Sequence, residues 1–116
     1  MRRFVLLLFM AASINALAAD TAVKGYLVDV ACLARMKQKH ALAASHSKAC
    51  LQVPNCADSG YGVVTEDKQF IKFDQDGNEK VRKFVTGIDK KNDIRVTVTG
   101  TVDSDTMTVS KIELQQ

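Results

Sequence analysis

The run IRVTVTGTV at residues 94–102 alternates between apolar and polar side chains and constrains the fold more than any other part of the chain. Ile94, Val96 and Val98 fall on one face, whereas an arginine and threonines occupy the other. A period of two residues is that of a β-strand with one face in a core and the other in water. The chain is therefore expected to fold around a β-sheet.

Further short runs rich in β-branched and aromatic residues continue this pattern on both sides of it. The sequence predicts five strands, at 23–30, 61–65, 69–74, 94–102 and 106–114. Between the third and fourth strands, apolar residues recur from Val81 to Ile88 at helical spacing, which predicts a short helix. Asn78 suits its N-cap, and Gly87 suits a left-handed residue just past its end.

Two features predict that the sheet curls. Gly25 lies inside the first strand, where glycine often marks a bend, and the apolar phase of the last strand shifts near Ser110, as it does at a bulge. The predicted fold is mainly β with α+β content: an OB-like five-stranded barrel with a helical insertion between strands 1 and 2 and a short helix between strands 3 and 4. Another small antiparallel α+β sheet is the alternative.

The N-terminal residues 1–18 have the pattern of a signal peptide. Arg2 and Arg3 precede an apolar stretch, and Ala-Leu-Ala at 16–18 is a cleavage signal. The apolar stretch is shorter than the ~20 residues that a membrane span needs. We therefore expect an exported protein, periplasmic or secreted, that meets the membrane only through the cleaved peptide and consists of one domain at 19–116.

Charge is unevenly distributed along the chain, and the insertion at about 31–57 is basic. Loss of the two N-terminal arginines takes the basic count from 16 to 14 against 13 acidic residues, so general attraction to nucleic acid is not indicated. The insertion itself holds no acidic residue and carries four basic ones, namely Arg35, Lys37, Lys39 and Lys48. We expect a recognition surface for an anionic ligand or envelope component, with a solvated helix face as the alternative.

All three cysteines and both histidines also fall within the insertion. Strands 1 and 2 are expected to be antiparallel neighbours, which brings the ends of the insertion together and favours a disulfide between Cys32 and Cys56. Cys50 with Cys56 is the alternative pairing. The remaining thiol is then either free in a monomer or joins two chains covalently.

A metal or thiol-redox site competes with the recognition surface as the function of the insertion. The candidate ligands are Cys32, His40, His46, Cys50 and Cys56, and thiolate with imidazole suits zinc or copper. A helix through His46 and Cys50 would place both on one face. The spacing matches no standard zinc pattern, so we expect no cofactor, with zinc or copper as the alternative. No catalytic motif is present, and an enzyme is not indicated.

Several short motifs together carry a resemblance to a protein family. They are GYLVD-x-x-C at 25–32, H-x-x-x-C at 46–50, Cys56, SGYG at 59–62 and VTVTGTV at 96–102. This arrangement resembles small exported bacterial proteins of unassigned function with a D-x-x-C start, a Cys/His insertion and an OB-like β end. It is more distantly similar to the stress-induced periplasmic OB-fold proteins of bacteria, which lack the cysteine insertion. The resemblance implies a binding or envelope-stress module, and the recurrence of cysteine with histidine adds support to the alternative of a metal or redox site.

Overall fold

A computed structural model describes residues 20–34, 43 and 45–115 of the chain. The predicted signal peptide lies outside these residues, as do the candidate ligand His40 and three of the four basic candidates, Arg35, Lys37 and Lys39. The described residues therefore include the sheet, the two ends of the insertion, and the helix that precedes the last two strands.

The described part of the chain contains five strands and four helices. In chain order they are β1 (Thr21–Asp29), α1 (Val30–Leu33), α2 (Lys48–Gln52), α3 (Pro54–Asp58), β2 (Tyr61–Thr65), β3 (Phe70–Phe73), α4 (Gln75–Gly87), β4 (Arg95–Asp103) and β5 (Thr106–Leu114). Within these ranges, no helix has the length and apolar character that a membrane crossing requires.

The five strands form one mixed sheet that closes into a ring in the order β1-β2-β3-β5-β4. All neighbours are antiparallel except β3 and β5, which are parallel. At Gly25, β1 pairs with Thr65 of β2 on one side and Val96 of β4 on the other. A Cβ at this glycine would lie 2.2 Å from the Val64 carbonyl oxygen, so the close approach of the strands requires glycine. The prediction of a mainly β fold is confirmed.

The predicted bulge near Ser110 is also confirmed. Thr99 pairs with Lys111 but the next residue, Gly100, pairs with Val109, so Ser110 has no partner in the ladder. Its hydroxyl donates to the Thr99 carbonyl at 2.9 Å instead. The extra residue bends β5, which a sheet that closes on itself needs.

The start of α4 differs from the prediction. Asp74, not Asn78, is the N-cap, and its carboxylate accepts a hydrogen bond from the Gly77 amide at 2.9 Å. Asn78 faces β2, where its side-chain oxygen accepts from the Tyr61 amide at 2.8 Å. The predicted left-handed Gly87 is also wrong, because this residue is the last of the helix and is not among the positive-φ glycines.

The insertion is held to the sheet by apolar packing. A main core between sheet and α4 includes Leu51 from α2, which is fully buried. The buried hydroxyl of Tyr61 donates to the Leu51 carbonyl at 2.8 Å. A second, smaller cluster joins the other end of the insertion to β1 and β2, and its buried members are Val28, Leu33, Ala43 and Val64. Both ends of the insertion are therefore fixed without a covalent bond.

Candidate metal-binding site

Asp29 is the last residue of β1 and its side chain is completely buried. It caps α1, because Oδ2 accepts a hydrogen bond from the Cys32 amide at 2.9 Å. A cap of this kind fixes the first turn of the helix relative to the carboxylate. Cys32 is thereby held beside Asp29.

A second connection brings Cys56 on α3 to the same place. The Ser59 hydroxyl accepts from the Ala31 amide at 3.0 Å and donates to the Cys56 carbonyl at 2.6 Å, which links α1 to α3. The sulfur atoms of Cys32 and Cys56 lie 3.8 Å apart. The structure thus brings together the pair favoured for a disulfide, but both thiols are free and the bond itself stays a prediction.

His46, which lies just before α2, contacts the same carboxylate. Its Nε2 lies 2.7 Å from Asp29 Oδ1, and the imidazole is buried. An ionised carboxylate only accepts hydrogen bonds, so the histidine tautomer that suits this contact is the one with a proton on Nε2. The helical face that was expected to join His46 and Cys50 is wrong, because Ser47 caps α2 and the helix begins after His46.

Among the described residues, Asp29, Cys32 and Cys56 form a trio whose ligand atoms all lie within 4.8 Å of one another. Sequence reasoning found the two cysteines but missed Asp29 as a ligand. The spacing D-x-x-C was the available signal, since it places a carboxylate and a thiol together at the start of a helix. Of the other candidates, His46 contacts the trio through Asp29, and Cys50 is not part of it.

The environment keeps the two thiols protonated. Burial, the negative charge of Asp29 and hydrogen bonding to Cys56 raise the pKa of Cys32 from 9.0 to about 12. Burial also raises the pKa of Cys56, although the hydrogen bond from the Cys32 thiol acts against that rise. A reactive cysteine needs a lowered pKa, so without a bound metal ion this is a poor setting for a thiolate nucleophile. A metal ion can still bind here by displacing the thiol protons.

Lys48 is the one basic candidate in the described part of the chain, and its Nζ donates to the Ile88 carbonyl at 2.6 Å. The backbone amide of Lys48 also donates to the Lys91 carbonyl at 2.8 Å. Lys48 therefore holds α2 against the segment after α4, and its ammonium group already has a protein partner.

The trio combines two soft donors with one hard donor, a set suited to ions of intermediate softness. Its carboxylate is buried and fixed by two hydrogen bonds, and both cysteine residues are partly exposed. Comparison of the chain with protein-family models, curated proteins and solved structures finds no match. The chemistry of the trio is thus the strongest basis for a function.

Proposed function

We propose that the protein binds a thiophilic divalent metal ion, best Zn²⁺, through Cys32, Cys56 and Asp29. The separation of the two sulfur atoms, 3.8 Å, carries this proposal. Zinc–sulfur bonds of about 2.3 Å at a tetrahedral centre place two sulfur ligands about 3.8 Å apart. The cysteines therefore need no rearrangement of their spacing to bind one ion.

The carboxylate of Asp29 supports the proposal as the third ligand. A tetrahedral zinc site places sulfur and oxygen ligands about 3.5 Å apart. The separations within the trio are at most 4.8 Å, so they have to shorten by at most about 1.3 Å. Each carboxylate oxygen accepts one hydrogen bond and keeps a free lone pair for an ion. Hydrogen-bonded carboxylates of this kind are typical metal ligands.

The free-energy cost of burying a carboxylate beside two thiols also supports a role in metal binding. A buried carboxylate beside two desolvated thiols destabilises a fold unless something compensates for it. His46 and the Cys32 amide compensate for part of the charge, but apolar side chains of similar size would pack at no such cost. A cation bound between the three groups supplies the remaining compensation.

The donor set favours zinc over copper. Cu⁺ prefers thiolate and thioether ligands, whereas a carboxylate suits harder ions and zinc accepts both. If Cu⁺ were the ion, the two thiolates would hold it without Asp29. Dependence of binding on Asp29 thus distinguishes the two ions.

Titration of the reduced, metal-free protein with Zn²⁺ against a chromophoric chelator tests the proposal. We expect one ion per chain with a Kd below the micromolar range, and native mass spectrometry checks the stoichiometry. The double variant Cys32→Ser/Cys56→Ser should no longer bind zinc. The variant Asp29→Asn should bind zinc more weakly but bind Cu⁺ as tightly as the unmodified chain does. Circular dichroism establishes that each variant is folded.

Cys50→Ser is the matched control, because it removes a thiol from the same insertion but outside the trio. We expect it to bind zinc as the unmodified chain does. Weak binding by the reduced protein, or unchanged binding by the double variant, would rule out the proposed site. Loss of binding in Cys50→Ser would instead require a ligand set based on Cys50.

We further propose that the ring of strands is an OB-like barrel and that the protein is exported. The ring order, the pairing of β1 with both β2 and β4, and the parallel contact of β3 with β5 support an OB-like barrel. The pattern of residues 1–18 supports export to the periplasm or the medium. The protein would then be a small exported module that binds its ion in an insertion attached to the barrel.

A further inference from the structure

We infer that Cys32 and Cys56 form a reversible disulfide that releases the bound ion, so that the site holds its ion only in the reduced state. This inference rests on the proposed function. It assigns a regulatory chemistry to the same two thiols and identifies the oxidant class as a disulfide, either of a small thiol or of a protein.

The positions of the two thiols support this inference. Their sulfur atoms are 3.8 Å apart, and a disulfide of about 2.05 Å requires them to approach by roughly 1.8 Å. Each thiol lies on a helix of no more than five residues, so a small shift of one short segment is sufficient. Ser59 links these two segments and keeps the thiols opposed in either state. Both cysteines are also partly exposed, which gives an oxidant access to them.

The reaction is a thiol–disulfide exchange. One cysteine sulfur attacks the oxidant's disulfide, forms a mixed disulfide and releases one thiol. The second cysteine sulfur then attacks the mixed bond, the Cys32–Cys56 bond forms, and a second thiol leaves. Metal binding would already have displaced both thiol protons, so the cysteines give only two electrons to the oxidant. The two sulfurs of the oxidant leave as thiolates and take up protons from the solvent. Oxidation removes two of the three ligands, and Asp29 alone cannot hold the ion.

Zinc-loaded reduced protein treated with oxidised glutathione tests the inference. We expect one equivalent of zinc to be released to an indicator as the disulfide forms, and dithiothreitol to restore binding. The loss of two direct ligands should weaken zinc binding by more than about 100-fold, since loss of an outer-shell partner alone costs up to that much. Differential alkylation followed by cleavage after Leu51 separates Cys50 from Cys56 and identifies the bonded pair.

Cys50→Ser is again the matched control, because only the Cys32–Cys56 bond can form in it, and it should release zinc as the unmodified chain does. Zinc that binds but stays bound after oxidation, or a bond between Cys50 and Cys56, would overturn the inference while the proposed function stands. A reduced protein that binds no zinc would overturn the proposed function, whichever disulfide forms. The two failures are therefore distinguishable.

Discussion

The Nε2 atom of His46 lies 2.7 Å from Oδ1 of Asp29, and this contact joins two buried side chains that are 17 residues apart in the chain. One side chain ends a strand and the other precedes a short helix, so the contact closes the insertion onto the sheet. It also fixes the carboxylate in place beside the two thiols. Stability and ion binding thus depend on the same pair.

Replacement of His46 by alanine should destabilise the reduced, metal-free protein by about 3 kcal/mol, because it leaves a buried carboxylate without one of its two donors. Urea denaturation followed by circular dichroism measures this change. The same variant should bind zinc about 10-fold to 100-fold more weakly, since it loses a partner that orients a ligand.

The variant His46→Gln is the control for that experiment, because the glutamine side chain can place an N–H donor close to the position of Nε2. We expect it to recover most of the stability and most of the zinc affinity. If alanine and glutamine are equally destabilising, the loss comes from packing of the ring and not from the hydrogen bond to Asp29.

The variant Asp29→Asn should lower the pKa of the Cys32 thiol. Burial is the largest cause of the raised value and will persist, but the negative charge of Asp29 is the second cause and is removed. Ultraviolet absorbance of the thiolate as a function of pH measures the effect in the variant Cys50→Ser, which removes one background thiol. Asp58→Asn, at an exposed aspartate, is the control and should leave the Cys32 titration unchanged.

The strands could be predicted from sequence because their signal is local. Tyr61–Thr65 and Thr106–Leu114 have the predicted bounds, since alternation of apolar residues and a shift in its phase are visible within a few neighbours. The start of α4 could not be predicted in this way. Asp74 and Asn78 are both good capping residues, and the choice depends on the contact of Asn78 with Tyr61 of another strand.

The site was predictable only in part for the same reason. Cys32 and Cys56 could be paired because antiparallel strands bring the ends of the insertion together. The proposed role of Asp29 as a ligand depends on the approach of separate segments, and its capping of α1 is by itself a sufficient local reason for an aspartate at that position. His46 was expected to share a helix face with Cys50. This face does not form, because Ser47 caps α2 and the helix begins after His46.

The raised pKa of Cys32 predicts a loss of stability at alkaline pH. Below pH 9.0 both the folded and the unfolded chain hold the thiol proton, so stability is complete there. As the pH rises from 9.0 towards about 12, the unfolded chain loses the proton first and the free energy of unfolding falls. The slope is smaller than the full ~1.4 kcal/mol per pH unit, because Cys32 is only partly buried and solvent screens its interactions. Urea denaturation of the reduced, metal-free protein at several pH values should show this slope. Cys32→Ser should reduce it, whereas Cys50→Ser should not.

Two glycines should respond in opposite directions to alanine. At Gly100, beside the bulge, a Cβ would lie 1.9 Å from the Thr108 carbonyl oxygen, so the paired strands must separate and we expect a loss of about 2 kcal/mol. At Gly87 no atom lies within 4 Å and the residue is helical, so Gly87→Ala should stabilise the protein by about 0.5–1 kcal/mol. Urea denaturation of both variants measures the difference. If Gly100→Ala is as stable as the unmodified chain, this result would contradict the close contact between β4 and β5 at Gly100.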